Sequence, residues 1–252
     1  MFNVKERKKE IVLAAVACVV AVAASVLTVR FSPACETFIY KDGFEYFVKS
    51  RDIAVNGFDR NWDYKDDTLS IENIDCMPVT SIYLTAGFLY RDNNDDIDLP
   101  NLITKLSIPD NVQEIALEDL YALESINIPD GVTRLKLSNC KSLKNIDLPD
   151  GVTVLNLKNC ESLTSIDIPD GVTDISLAGC KSLTSVIIPY SVTTISYDSF
   201  EGCSSLTSII IPDSVTYLDD AFEGCDSLVS VSVPSGLKIS GDYSWKDKVV
   251  YR

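Results

Sequence analysis

Ile126 to Asn145 reads INIPDGVTRLKLSNCKSLKN, Ile146 to Ser165 reads IDLPDGVTVLNLKNCESLTS, and Ile166 to Ser185 reads IDIPDGVTDISLAGCKSLTS. The three stretches align residue for residue at a period of 20. Self-similarity at such a period specifies a solenoid, in which each repeat is one coil stacked on the last. Two looser copies follow with inserted residues, VIIPYSVTTISYDSFEGCSSLTS from Val186 and IIIPDSVTYLDDAFEGCDSLVS from Ile209. One coil alone buries too little apolar surface to fold, so the stack has to share its core.

Within a coil, the order Leu163-Thr164-Ser165-Ile166-Asp167-Ile168 predicts a short strand with Leu163, Ile166 and Ile168 inward and Ser165 and Asp167 outward. Pro169-Asp170-Gly171 turns the chain, because proline ends the strand and glycine accepts positive φ. A second short strand then places Val172, Ile175 and Leu177 inward, and Gly179 to Leu183 closes the coil. Working outward, Pro78 to Leu84 reads as the first coil and Ala86 to Lys105 as an irregular one, after which Ile103 to Pro109 restores the pattern. The count through Pro234 is about seven or eight coils, each rising about 4.8 Å.

The stack needs covered ends. Thr37 to Val48 reads as a β-hairpin around Lys41-Asp42-Gly43, within an N-terminal cap over 36–75 whose core includes Phe58 and Trp62. The solenoid then occupies 76–239, and the tail 240–252, with Tyr243, Trp245 and Tyr251, reads as a short C-terminal cap. Ahead of all this, residues 1–10 are basic and Ile11 to Val29 is an uncharged apolar run of nineteen residues. That length crosses a bilayer, and the basic flank puts the N-terminus on the cytoplasmic side. A signal-anchor is preferred over a cleaved signal peptide, whose apolar core is usually about 7 to 15 residues. The expected location is therefore the cell membrane, single-pass, with the repeats extracellular, or secretion if the segment is cleaved.

The 252 residues carry a net charge of −15, which repels phosphate backbones and argues against nucleic acid as a partner. No histidine is present. That removes histidine-dependent nucleophile systems, histidine zinc sites and imidazole acid–base chemistry together. With no nucleophile elbow, phosphate-binding glycine loop or metal motif either, the sequence predicts no enzyme, no cofactor and no small-molecule substrate.

The motif LTSIxIPxxVTxI followed by AFEGCxSL, clearest in Leu206 to Leu228, resembles the BspA-type leucine-rich repeat of bacterial surface antigens. The resemblance spans about Gly43 to Pro234, including an entry segment GFEYFV…GFD…TLSI…MPVTSI, although several coils lack the AF insert. It implies an exposed, non-enzymatic surface protein that binds other proteins, host or matrix components among them. The fold class expected is thus mainly β: a leucine-rich repeat solenoid with an N-terminal β cap, preceded by one transmembrane helix.

Cys140, Cys160, Cys180, Cys203 and Cys225 recur once per coil. Spacings near twenty match no zinc signature and five positions cannot all pair, so they are expected as small buried hydrophobes. Cys35 and Cys76 stand outside this series, and a disulfide between them is left open. Asp92, Asn94 and Asp96 in RDNNDDID have calcium-loop spacing, but Ile97 and Ile103 stand where the glycine and the bidentate glutamate belong, which favours a solvated loop.

Down the outward side of the first strand run Ser107, Asn127, Asp147, Asp167, Ile187, Ile210 and Ser232. Stacked aspartates about 5 Å apart in water repel by about 1 kcal/mol, which turn hydrogen bonds offset. Ile187 and Ile210 are large apolar groups where the register calls for solvent. With Tyr190, Tyr197 and Tyr217 they form a candidate partner site, flanked by Asp147 and Asp167. Two outcomes compete: a face that binds a protein partner or mediates adhesion, or a structural, self-associating envelope component.

Overall fold

The computed structural model describes residues 37–41, 44–49, 52–58, 68–70, 81–85, 103–240 and 244–252. The apolar run 11–29, Cys35, Cys76, Trp62 and the acidic loop 92–98 lie outside them. No helix among the described residues is long and apolar enough to cross a membrane.

The chain opens with an antiparallel sheet of β1 (Thr37–Lys41), β2 (Phe44–Lys49) and β3 (Asp52–Phe58), in which β1 and β2 are the expected hairpin. Every later strand pairing is parallel. One ladder joins β5 (Ser81–Thr85), β7 (Glu114–Glu118), β9 (Arg134–Ser138), β10 (Val154–Asn156) and β11 (Asp174–Ser176). Its line continues as β12 (Thr194–Ile195), β14 (Tyr217–Leu218) and β16 (Lys238–Ile239). The register matches the repeat: Leu135 lies opposite Ile115 and Leu155, and Leu155 opposite Ile175. All four are buried.

The other ladder is built from the first strand of each coil. It begins with β4 (Thr68–Ser70), β6 (Lys105–Ser107) and β8 (Ser125–Ile126). It resumes as β13 (Ser208–Ile210), β15 (Ser230–Val233) and β17 (Val249–Tyr251). One expectation is corrected here, and another, the irregular coil from Ala86 to Lys105, lies for the most part outside the described residues. β5 bonds directly to β7. The strand expected through Ser165–Ile168 is not formed, nor are its counterparts at 146–148 and 186–188. Burial alternates as predicted, with Leu163 and Ile168 inside and Ser165 and Asp167 outside. Among the described residues no backbone hydrogen bond joins these three segments to one another, and the coils are bonded instead along the second ladder.

Between the ladders the core is one continuous column. Val112, Val132, Val152, Val172 and Val192 are each 0% exposed, as are Leu143, Leu163 and Leu183. Each such side chain contributes about 1.5–3 kcal/mol relative to exposure, and its neighbours one coil away supply the burial. The five cysteines are free and buried in the same interior. Their thiols lie close to carbonyls of the preceding coil, Cys180 Sγ 3.3 Å from Leu157 O and Cys203 Sγ 3.1 Å from Leu177 O. Threonines brace the turns likewise: Thr153 Oγ1 donates to Thr133 O at 3.1 Å and Thr173 Oγ1 to Thr153 O at 3.3 Å.

Beyond the second strand of each coil the backbone turns left-handed, at one residue in most coils and at both Asp198 (φ 64°) and Gly202 in the coil from Val186. Asp119, Asn139 and Asn159 do so at φ 63, 59 and 58°, and Gly179, Gly202 and Gly224 at 72, 69 and 73°. Asn139 Nδ2 donates to Asp119 Oδ1 at 2.7 Å, and Asn159 Nδ2 to Asn139 Oδ1 at 2.8 Å. Short amide side chains tolerate this conformation and bond along the column; glycine needs no such help.

At the C-terminal end the aromatic residues close the core. Phe200 stacks on Phe222 at 5.3 Å, and Trp245 meets Phe222 edge-on at 5.0 Å. Trp245 is 1% exposed and donates from Nε1 to Asp220 Oδ1 at 2.9 Å. Arg252 adds an ion pair to Asp213 at 2.7 Å.

Candidate protein-binding face

Three backbone hydrogen bonds align the coils on the first-strand side: Thr184 N to Thr164 O, Thr207 N to Thr184 O, and Val229 N to Thr207 O. Three residues further on in each coil, the same register puts Asp167, Ile187, Ile210 and Ser232 in file, and the β15–β17 pairing adds Val250. Neighbouring coils are about 4.8 Å apart. Ile187 is 82% exposed, Ile210 64% and Val250 52%. These apolar groups gain nothing from the core behind them, where Val186, Ile188, Ile209 and Ile211 occupy the inward positions.

The turn column beside this file runs Asp130, Asp150, Asp170, Tyr190, Asp213, all exposed. Tyr190 thus sits in the same coil as Ile187 and on the same flank. The other two tyrosines are placed elsewhere. Tyr217 projects from the second ladder between Thr194 and Lys238, its hydroxyl 2.9 Å from Ser240 Oγ. Tyr197 stands in the insert beyond that ladder, beside Glu223, Glu201 and Asp220, whose charges raise its pKa. The face therefore comprises Asp147, Asp167, Ile187, Tyr190 and Ile210, with Tyr197 and Tyr217 around the corner.

Sequence reasoning missed two exposed apolar residues, Val229 and Val250, and placed Tyr251, which is exposed, in the C-terminal cap. Val250 joins the file only because β17 pairs with β15, and the alternation in Val249-Val250-Tyr251 is too short to announce that pairing. It also missed a groove of about 370 Å³ lined by Ile146, Asp147, Leu148, Asp150, Asp167, Ile168, Pro169 and Asp170. The groove lies where the first ladder has no strand pairing.

The chemistry available here is recognition. Among the described residues no group of three or more acidic or sulfur ligands is placed to hold a metal ion. Burial pushes the Cys160 and Cys203 thiols up to about 12 and Cys225 to about 11, so none is a nucleophile at neutral pH. Three lysines are already engaged: Glu161 bridges Lys141 at 3.5 Å and Lys181 at 3.1 Å, and Lys158 pairs with Asp198 at 2.9 Å.

Comparison with known proteins agrees with this geometry. The profile of the BspA type leucine rich repeat region matches residues 99–178 and 156–249, in six copies. The leucine-rich repeat protein of T. pallidum is 22% identical, with a TM-score of 0.59 over 75% of this chain and 90% of that one. A leucine-rich repeat protein from Eubacterium ventriosum is 21% identical, with a TM-score of 0.50 over 85% of this chain and 53% of that one. At that identity the likeness establishes the fold. No curated protein matches the sequence.

Proposed function

The chain belongs to the BspA-type leucine-rich repeat family, and from that membership we propose that it is a non-catalytic binding protein displayed outside the cell. Residues 11–29 anchor it in the membrane, or direct its secretion, and the solenoid presents its first-strand face to a protein partner such as a host or matrix component. One observation carries this assignment: Ile187 and Ile210 are 82% and 64% exposed on adjacent coils. Ser107, Asn127, Asp147, Asp167 and Ser232 occupy the equivalent positions in other coils, so solubility does not account for the isoleucines.

The test is binding of the purified full chain to candidate surface and matrix proteins, compared with the Ile187→Asp, Ile210→Asp variant. Saturable binding that the variant loses is expected. Binding that survives the double substitution overturns the assignment of this face. The structural alternative draws on the edges of β16 and β17, which end their ladders with Val250 and Tyr251 exposed. Self-association without any partner, abolished by Val250→Lys, is its signature.

A further inference from the structure

We propose that Cys203 and Cys225 are a latent disulfide, made when the last coil opens in the presence of a small-molecule disulfide, and that the bond then staples the two C-terminal cysteine-bearing coils together. The pair is set one hydrogen bond apart. On one flank Gly202 N donates to Glu223 O at 2.7 Å, and on the other Ser227 N donates to Ser204 O at 3.1 Å. Immediately before the cysteines, a Cβ on Gly224 would lie 3.4 Å from Gly202 Cα. One C–C bond more puts the Cα atoms of the two glycines at most about 5 Å apart. The cysteines that follow them share that spacing, and disulfides join Cα atoms about 4.4–6.8 Å apart. Both thiols are buried, and each leans toward the coil before it, Cys225 Sγ lying 3.1 Å from Phe200 O, three residues ahead of Cys203.

The other cysteines are stacked likewise, and position along the solenoid singles out one pair. With the coils closed none reacts, because the thiolate is the nucleophile and burial disfavours it. A solenoid opens from its ends, where a coil has one neighbour instead of two. Toward the N-terminus the equivalent loop position is taken by buried Leu120, which sets a further coil beside Cys140. Toward the C-terminus only the tail follows Cys225. Trp245 packs edge-on against Phe222 and donates to Asp220, and β17 is paired on one side alone. Cys225 is 4% exposed where the other four are 0%. Its thiol is also pushed up least, to about 11 against about 12 for Cys203, and Lys248 in the tail favours its thiolate.

Opening therefore bares Cys225 first. Its thiolate attacks one sulfur of the small disulfide, that S–S bond breaks, and one small thiol leaves with a proton. Cys203 then attacks Cys225 Sγ and expels the second small thiol. Two protein thiols are oxidised and one small disulfide is reduced to two thiols. Once closed again, the link ties the coil from Ile209 to the coil from Val186, and the end of the solenoid opens less often.

The reduced full chain is incubated with oxidised glutathione near neutral pH, its remaining thiols are alkylated in denaturant, and it is cut with Glu-C without reduction. Cleavage after Glu161, Glu201 and Glu223 puts Cys180, Cys203 and Cys225 on separate peptides. The expected product is a cross-link between peptides 202–223 and 224–252, with Cys140, Cys160 and Cys180 alkylated. Cys203→Ala is expected to leave glutathione held on Cys225, while Cys225→Ala leaves Cys203 unmodified over the same time. Because the rate follows the open fraction, Trp245→Ala should quicken cross-linking about tenfold or more. Asp220→Ala, which removes only the acceptor of the indole N–H, should quicken it about fivefold. In the linked chain the amides of β16 and β17 should exchange about tenfold more slowly than in the reduced chain, and a dithiol should reverse the difference. The proposal is overturned by no cross-link, by oxidation spread evenly over the five cysteines, or by glutathione on Cys203 in Cys225→Ala. Cross-linking unmoved by both cap variants, or equal exchange in the linked and reduced chains, overturns it as well.

Discussion

Gly179 shows how a single position is constrained by the coil before it. Its φ of +72° disfavours any side chain, and a Cβ there would run into Asn159 Oδ1. Gly202, at φ +69°, has nothing nearer a Cβ than the Gly179 Cα at 3.8 Å. Gly202→Ala is therefore expected to cost only the conformational penalty, about 1–2 kcal/mol, and Gly179→Ala about 2–4 kcal/mol. Urea unfolding measures both, and in an Asn159→Gly background the difference between them should shrink to what the Asn159 Cα, 3.2 Å from the added Cβ, still imposes. The cysteines make a pH prediction. Folding raises Cys160 from 9.0 to about 12 through burial. The neutral thiol's contribution is thus fully present below about pH 9 and is lost as pH rises through about 12. Between those limits, each such thiol lowers stability by about 1.4 kcal/mol per pH unit. Denaturant titrations at pH 8 and pH 10.5 should show a shallower alkaline loss in Cys160→Ala than in the unsubstituted chain. Equal slopes would mean the thiol is not dry. That these cysteines are buried was legible from their period. The glycine's constraint was not, because the side chain it avoids is twenty residues away.

At the scale of elements, the second strands were legible and the first strands only half so. Hydrophobic alternation reports which side chains face inward, and it reported Leu163 and Ile168 correctly. It is silent on whether adjacent coils come close enough for backbone bonding, which is a property of the pair. The tail illustrates the same point. Trp245 fills the end of the aromatic series Phe200–Phe222–Trp245, and β17 adds a strand to β15. Trp245→Ala is expected to destabilise by about 3–5 kcal/mol, the usual cost of emptying a buried aromatic site. Because each coil touches only its neighbours, the damage should be graded along the stack. Hydrogen exchange should accelerate in β15 and β16 while β9 and β10 keep their protection. Uniform acceleration along the chain would mean the solenoid unfolds as one unit and the tail is not a local cap.

For the whole molecule, stacking makes length adjustable. Residues 146–165 form one complete period whose neighbours on both sides carry equivalent residues at each position. Deleting them joins Asn145 to Ile166 and brings Leu135 opposite Ile175, preserving register. The shortened chain is expected to fold with the same β-rich circular dichroism and a lower urea midpoint, having lost one coil's share of the core. A chain that fails to fold would show that the coils are not interchangeable. The sequence alone determined the solenoid, its inward residues, the burial of its cysteines and the two isoleucines that stand outside, because each follows from a period and a side-chain alternation within one coil. Only the tertiary structure decided that β5 bonds straight to β7, that no first strand pairs at 146–148, 166–168 or 186–188, where an acidic groove lies, and that the three tyrosines do not share one face. Those depend on how far apart two coils settle and at what angle, and backbone hydrogen bonds between coils, which any sequence can make, leave no mark in the order of residues.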